Sequence, residues 1–304
     1  MTAKISFILI FCFSTFWASA QNTDELFISG LNNFQNGNIN QAIDDFTKVI
    51  ALKPDNTDSY FNRAICYVKL EKYKEAISDY SNCIELKPND DNSFFNRGML
   101  YKDMNKIKNA LSDFNMAIKI NPNIPDTYYH RGLIYQNMGF DTLAINDFKQ
   151  FISFRPKMIE GYYALACLYD EMEEYQAAID VYSSLLMIDS TYAKAYFNRA
   201  YDYDLIKNNQ NAIDDYSKSI NYDNKNADAY FNRAYIFNEL NEFDKSISDY
   251  THAIELEPLI ADAYFNRGMV KISAGRKYDG CRDVKKATSL GDRTAKKYHS
   301  VYCK

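Results

Sequence analysis

The residues able to do chemistry in this chain are plentiful, yet few are spaced to do any. The three histidines, His130, His252 and His299, stand far apart, and none belongs to an H-E-x-x-H zinc helix. No G-x-S-x-G turn presents a serine nucleophile, and no glycine run could cradle a phosphate. Asp223 to Asp228 superficially resembles a calcium loop, but Lys225 takes a ligand position and the obligatory glycine is missing. The cysteines include no C-x-x-C pair, which argues against zinc. These residue types in these places predict no enzyme, no metal site and no other cofactor.

What does recur is a phrase. "DAYFNRA" occupies Asp228 to Ala234 and "DAYFNRG" Asp262 to Gly268, with shorter copies at Ala195 to Ala200 and Ser59 to Ala64. Its arginine stands at 63, 97, 131, 199, 233 and 267, interrupted by Leu165. An aspartate column reads 45, 79, 113, 147, 215, 249 and 283, interrupted by Val181. Pairing the columns within one repeat makes the two exceptions coincide, because removing one partner alone would strand a buried charge. The predicted structural pairs are Arg63–Asp79, Arg97–Asp113, Arg131–Asp147, Arg199–Asp215, Arg233–Asp249 and Arg267–Asp283.

The elements that must position these residues follow from the period. The phrase tyrosine aligns Leu26, Tyr60, Phe94, Tyr128, Tyr162, Tyr196, Tyr230 and Tyr264, each 34 residues after the last. Small residues recur as Ala42, Ala76, Ala110, Ala144, Ala178, Ala212, Ser246 and Gly280 in the same period. An aromatic column follows at Phe46, Tyr80, Phe114, Phe148, Tyr182, Tyr216 and Tyr250. Apolar and small residues at three-to-four spacing predict two amphipathic helices per unit. Five of the six prolines fall at the period's end, leaving helix interiors unbroken. The tyrosine of the phrase is expected in the core between the paired helices. Leu290-Gly291-Asp292 reads as a helix stop followed by an N-cap, so a last helix over 291–304 should cap the array.

This pattern resembles the tetratricopeptide repeat family: aromatic, small, aromatic, then alanine, aromatic and proline at fixed offsets over 34 residues. The fold class expected is all-α, a right-handed solenoid of eight helix-turn-helix repeats over 23–290. The repeats fall near 23–56, 57–90, 91–124, 125–158, 159–192, 193–226, 227–260 and 261–290. The resemblance implies that first helices line a concave groove and that the Phe and Asn of the phrase border it. The residues so assigned are Phe61, Asn62, Phe95, Asn96, Tyr129, His130, Phe197, Asn198, Phe231, Asn232, Phe265 and Asn266. One position past a core-facing aromatic, a helix has turned about 100°, so the Phe column forms a second stripe. A carboxamide both donates and accepts, which suits an extended peptide backbone; the alternative is an asparagine bonded to its neighbouring repeat. The family's carboxylate clamp for chaperone tails is not matched, since Phe61 and Phe95 stand where it needs lysine.

The partner expected is therefore a protein or extended peptide segment held by a non-catalytic scaffold. Self-association into an envelope structure, with the groove incidental, is the alternative. A net charge of −5 argues against nucleic acid, which needs clustered cations. Lys4, the apolar run Ile5 to Trp17 and Ala18-Ser19-Ala20 read as a secretory signal peptide over 1–20. That reading predicts export to the periplasm or cell exterior, with no membrane span. Export would expose the remaining cysteines to oxidation. Antiparallel packing of the last two helices predicts a Cys281–Cys303 disulfide, while Cys66 and Cys83 read as inert core residues.

Overall fold

The structure is a computed structural model that describes residues 22–303. The signal peptide expected over 1–20 lies outside the described residues. Every described element is a helix, and each pair repeats the one before it. The chain divides between Phe154 and Arg155 into two compact units. The first holds α1 (22–35) with α2 (Ile39–Leu52), α3 (Thr57–Lys69) with α4 (Tyr73–Leu86), α5 (Asp91–Asp103) with α6 (Ile107–Ile120), and α7 (Pro125–Asn137) with α8 (Asp141–Phe154). The second holds α9 (Ile159–Glu171) with α10 (Tyr175–Ile188), α11 (Ala193–Leu205) with α12 (Asn209–Tyr222), α13 (Ala227–Glu239) with α14 (Phe243–Leu256), and α15 (Ala261–Ser273) with α16 (Lys277–Ser289). A final helix, α17 (Arg293–Tyr302), closes that unit.

Within each unit a helix packs on its own partner and on the next pair, as α3 does on α4 and α4 on α5. In the second unit the first helix α13 also touches the first helices on either side of it, α11 and α15. Such arrays bury their core between neighbours rather than around one centre.

The core rests on the second helices. Phe46, Tyr80, Phe114, Phe148, Tyr182, Tyr216 and Tyr250 are fully buried, at most 1% exposed. Opposite them Ala64, Ala166, Ala200 and Ala234 are also fully buried. A Cβ added at Gly98 would lie 2.8 Å from the Phe114 ring, so the missing side chain is what lets that ring in. The turn between paired helices adopts a left-handed residue at one fixed offset: Gly37, Glu71, Asn105, Gly139, Glu173, Lys207, Asn241 and Gly275. Its two closing bonds, such as Glu71 N–H to Val68 O and Lys72 N–H to Tyr67 O, satisfy the helix's last carbonyls.

The cap is held three ways. The Asp292 side chain accepts from the Thr294 and Ala295 amides at 2.7 and 3.0 Å. Ala295 is buried against Val284 and Ala287. Cys281 and Cys303 form a disulfide, with Cα atoms 5.5 Å apart.

Candidate functional site

Each arginine of the phrase grips the aspartate sixteen residues on. Arg63, Arg97, Arg131, Arg199, Arg233 and Arg267 donate from Nε and Nη2 to Asp79, Asp113, Asp147, Asp215, Asp249 and Asp283, at 2.6–3.0 Å. These two-pronged bonds join the first helix of a repeat to its second. The third donor, Nη1, reaches back into the preceding repeat: to Thr47, Ser81, Asn115, Ser183, Ser217 and Thr251, at 2.7–3.0 Å. The arginine therefore joins three helices, not two. Each guanidinium also lies over the tyrosine or phenylalanine three residues before it, 5.5–5.9 Å from the ring centre.

That stacking divides the phrase aromatics: Phe94, Tyr128 and Tyr196 are buried, as expected. Tyr60, Tyr162, Tyr230 and Tyr264 are only half-buried. The ring shields a guanidinium where one is present, while the innermost aromatic is supplied by the second helix. In the first repeat Ser29 replaces arginine, and Asp45 accepts from Ser29 and Asn33 instead. In the fifth repeat Leu165 is buried and Val181 packs onto the cluster around Tyr182.

The Phe column is half-buried as well, and much of it is engaged. Phe61, Phe95, Tyr129, Phe197 and Phe231 each set their ring against the buried aromatic of their own second helix, 5.3–6.1 Å between centres. Phe265 meets Tyr298 of the cap. One edge holds the repeat; what is left faces outward.

The Asn column divides by position. Asn62 and Asn96 donate to the backbone carbonyls of Asp58 and Asn92, one turn earlier on their own helices. Asn198 donates to the Tyr182 hydroxyl of the preceding repeat at 2.9 Å, and to Tyr163 at 3.3 Å. Asn232 and Asn266 stand in the same register beside the hydroxyls of Tyr216 and Tyr250. His130 packs between Phe95 and Tyr129 with Nδ1 buried and unpartnered, and burial holds its pKa below the usual range.

In the second unit Phe197, Asn198 and Asn232 line one open cleft of about 570 Å³. They share it with residues the repeat columns did not single out, chief among them Asp170 and Asp202. Asp202 is 1% exposed. Asp170 Oδ2 accepts from the Tyr182 hydroxyl at 2.6 Å. Asp170 Oδ1 and Asp202 Oδ2 are buried with no N–H or hydroxyl donor, and the two carboxyls hydrogen-bond each other. Burial, and then the Asp170 charge beside it, push the Asp202 carboxyl up to about 8. The signal for Asp202 lay in its column, which after Asn32 in the first repeat otherwise reads Cys66, Leu100, Ile134, Leu168, Ile236 and Val270.

Sequence profiles described as tetratricopeptide repeat match residues 26–56, 57–90, 125–158, 159–192 and 227–258, and one described as TPR repeat matches 98–139. The chain belongs to the tetratricopeptide repeat family. Tetratricopeptide repeat folds are scaffolds that bind proteins or peptides, generally without catalysis. Among solved structures, the chain is similar to the C-terminal part of a TPR repeat-containing protein from Cytophaga hutchinsonii. That pair shares 22% identity and a TM-score of 0.69, over 79% of this chain and 98% of the other. It is similar to a tetratricopeptide repeat protein from Parabacteroides merdae, 20% identical with a TM-score of 0.56, over 93% of this chain and all of the other. MamA is 25% identical over 57% of this chain and 94% of its own, with a TM-score of 0.53. A search of curated proteins found no match. Among the described residues of this tetratricopeptide repeat protein, no helix is long and apolar enough to cross a membrane.

Proposed function

We propose that this protein is a non-catalytic scaffold that takes an extended protein or peptide segment along the inner face of its first helices. The observation that carries this reading is the cleft of the second unit, in which Phe197, Asn198 and Asn232 converge. The arginine and the small residue of the phrase are consumed in packing, whereas the outward edges of Phe and Asn remain on a surface. The Asn198 oxygen there can accept from a peptide backbone N–H, its own N–H groups being used on Tyr182 and Tyr163, and aromatic edges can cover alternate side chains. Export is proposed with it, supported by the order Lys4, apolar run, Ala18-Ser19-Ala20. A Cys281–Cys303 disulfide fits an oxidising compartment.

A photo-crosslinking amino acid placed at Phe231, and separately at the exposed Met187 of α10, tests the reading. The groove reading expects a defined heterologous adduct from position 231 and none from 187. Adducts only with a second copy of the chain would favour self-assembly in its place.

A further inference from the structure

Asp202 breaks a rule that six other repeats obey; only the first repeat also departs from it, with an exposed Asn32. At its place the later and earlier first helices carry Cys66, Leu100, Ile134, Leu168, Ile236 and Val270, all buried at 5% or less. An apolar residue there would pack in the same way and leave no charge to satisfy. A carboxyl instead loses its water, and the partner it gains is a second carboxyl, Asp170, with no other donor to Oδ2 among the described residues. Such an oxygen is costly to bury. Local rules are broken in this way chiefly at sites where something else uses the group.

The surroundings say what that user is. Asp202 lines the cleft of the second unit together with Asp170, whose Oδ1 is likewise buried with no donor besides the Asp202 carboxyl. Asp170 is fixed from behind by the Tyr182 hydroxyl, which in turn accepts from Asn198. Glu171, Glu173 and Asp228 lie around the same opening, and no lysine or arginine lines it. The rings of Tyr175, Phe197 and Tyr201 complete the walls, and Tyr201 is half exposed. Two inward carboxylates between aromatic walls, with no resident cation, are complementary to a planar guanidinium, which forks to carboxylates and stacks on rings.

We propose that the Asp170–Asp202 pair is a pocket for an arginine side chain of the segment bound along the first-helix face. The proposal rests on the groove reading for the segment, but the pocket itself is a claim about these two carboxylates. Arginine enters from the open side, places its guanidinium against Asp170 Oδ1 and Asp202 Oδ2, and displaces the proton the pair otherwise shares. Asn198 and Asn232 on the same wall are then placed for the backbone that carries it. The site selects one basic residue at one place in the ligand; the rest of the face supplies contacts of low specificity.

The pocket is tested apart from the groove with the full chain labelled at its aspartate carboxyl carbons. N-acetyl-arginine methylamide is titrated in, with the citrulline analogue as an isosteric neutral control. Saturable shifts of the Asp170 and Asp202 carboxyl signals with the arginine probe alone are expected. They should weaken at least tenfold in both Asp202→Ile, which restores the residue type of the other repeats, and Asp202→Asn, which keeps the size. No saturable shift, or one that persists in either folded variant, overturns the pocket. A second arm uses fluorescent acetyl-Gly-Ser-Arg-Ser-Gly amide and its citrulline counterpart. Arginine preferred by tenfold or more supports both readings. Equal binding of the two peptides overturns the pocket and leaves the groove. Binding of the small probe with no peptide binding leaves the pocket and overturns the groove.

Discussion

The guanidinium of Arg97 holds the Asp113 carboxylate through two parallel hydrogen bonds, both 2.8 Å, with most of each side chain out of water. The same contact is repeated in six repeats and replaced by Leu165 and Val181 in another. A desolvated pair of this kind costs far more when halved than when removed whole.

Arg199→Leu should accordingly lose roughly 3–5 kcal/mol, because Asp215 is left buried and unpaired. Arg199→Leu combined with Asp215→Val should lose clearly less, since the chain already contains that combination. Ser183→Ala, which removes only the third partner, should cost about 1 kcal/mol. Thermal unfolding together with amide exchange in α11 and α12 checks the order; equal losses for the single and double variants would refute it.

Why some of this was legible in the sequence and some was not has a physical basis. Arg199 and Asp215 could be paired because two charged columns break at the same repeat, the trace of a desolvation penalty. Ser183 was harder to read, because its column runs Thr47, Ser81, Asn115, Lys149, Ser183, Ser217, Thr251 and Lys285, residues at home on a wet surface, and only Lys149 ahead of Leu165 marks a missing arginine. The Phe stripe was placed by helical turn alone, which cannot say how much of a ring faces inward. Phe231 spends one edge on Tyr250. Asn198 was readable only as two alternatives, and its bond to Tyr182 belongs to the one that joins neighbouring repeats. Asp202 is not legible from what recurs, because its information lies in a departure from an otherwise buried apolar column.

Close approach of α15 and α16 depends on two glycines that face each other. A Cβ at Gly280 would fall 2.5 Å from the Gly268 carbonyl oxygen and 2.5 Å from Ile272 Cγ1. A backbone oxygen cannot swing aside, so the helices themselves must part. Gly280→Ala should cost about 1–3 kcal/mol or more. Gly139→Ala meets nothing in space but keeps a φ of +72°, and should cost only about 1 kcal/mol. Melting temperatures of the two variants give the comparison.

Reduction of Cys281–Cys303 should destabilise the cap by about 3 kcal/mol, the loop-closure term for a bridge of this span. The loss should appear first as faster amide exchange in α17. Burial pushes the Cys66 thiol up to about 11 and the Cys83 thiol up to about 12. Brief alkylation of the reduced native protein at neutral pH should therefore modify Cys281 and Cys303 and leave those two unmodified. Rapid labelling of Cys83 would contradict this.

The last prediction turns on the sign of a proton linkage. Burial first, and the Asp170 charge second, raise the Asp202 carboxyl to about 8, against about 3.9 in an unfolded chain. Below pH about 4 both states keep the proton, and this group makes no pH-dependent contribution. Between about 4 and 8 the unfolded chain has released a proton that the folded chain still holds, so rising pH favours unfolding. Above about 8 both are ionised and the penalty is constant. Asp202→Ile removes the term. Its melting temperature should exceed that of the parent by an amount that grows from pH 4 to pH 8 and then levels. The test is a series of melts of both proteins across that range. An offset that does not change with pH would mean that Asp202 titrates as an ordinary exposed carboxylate.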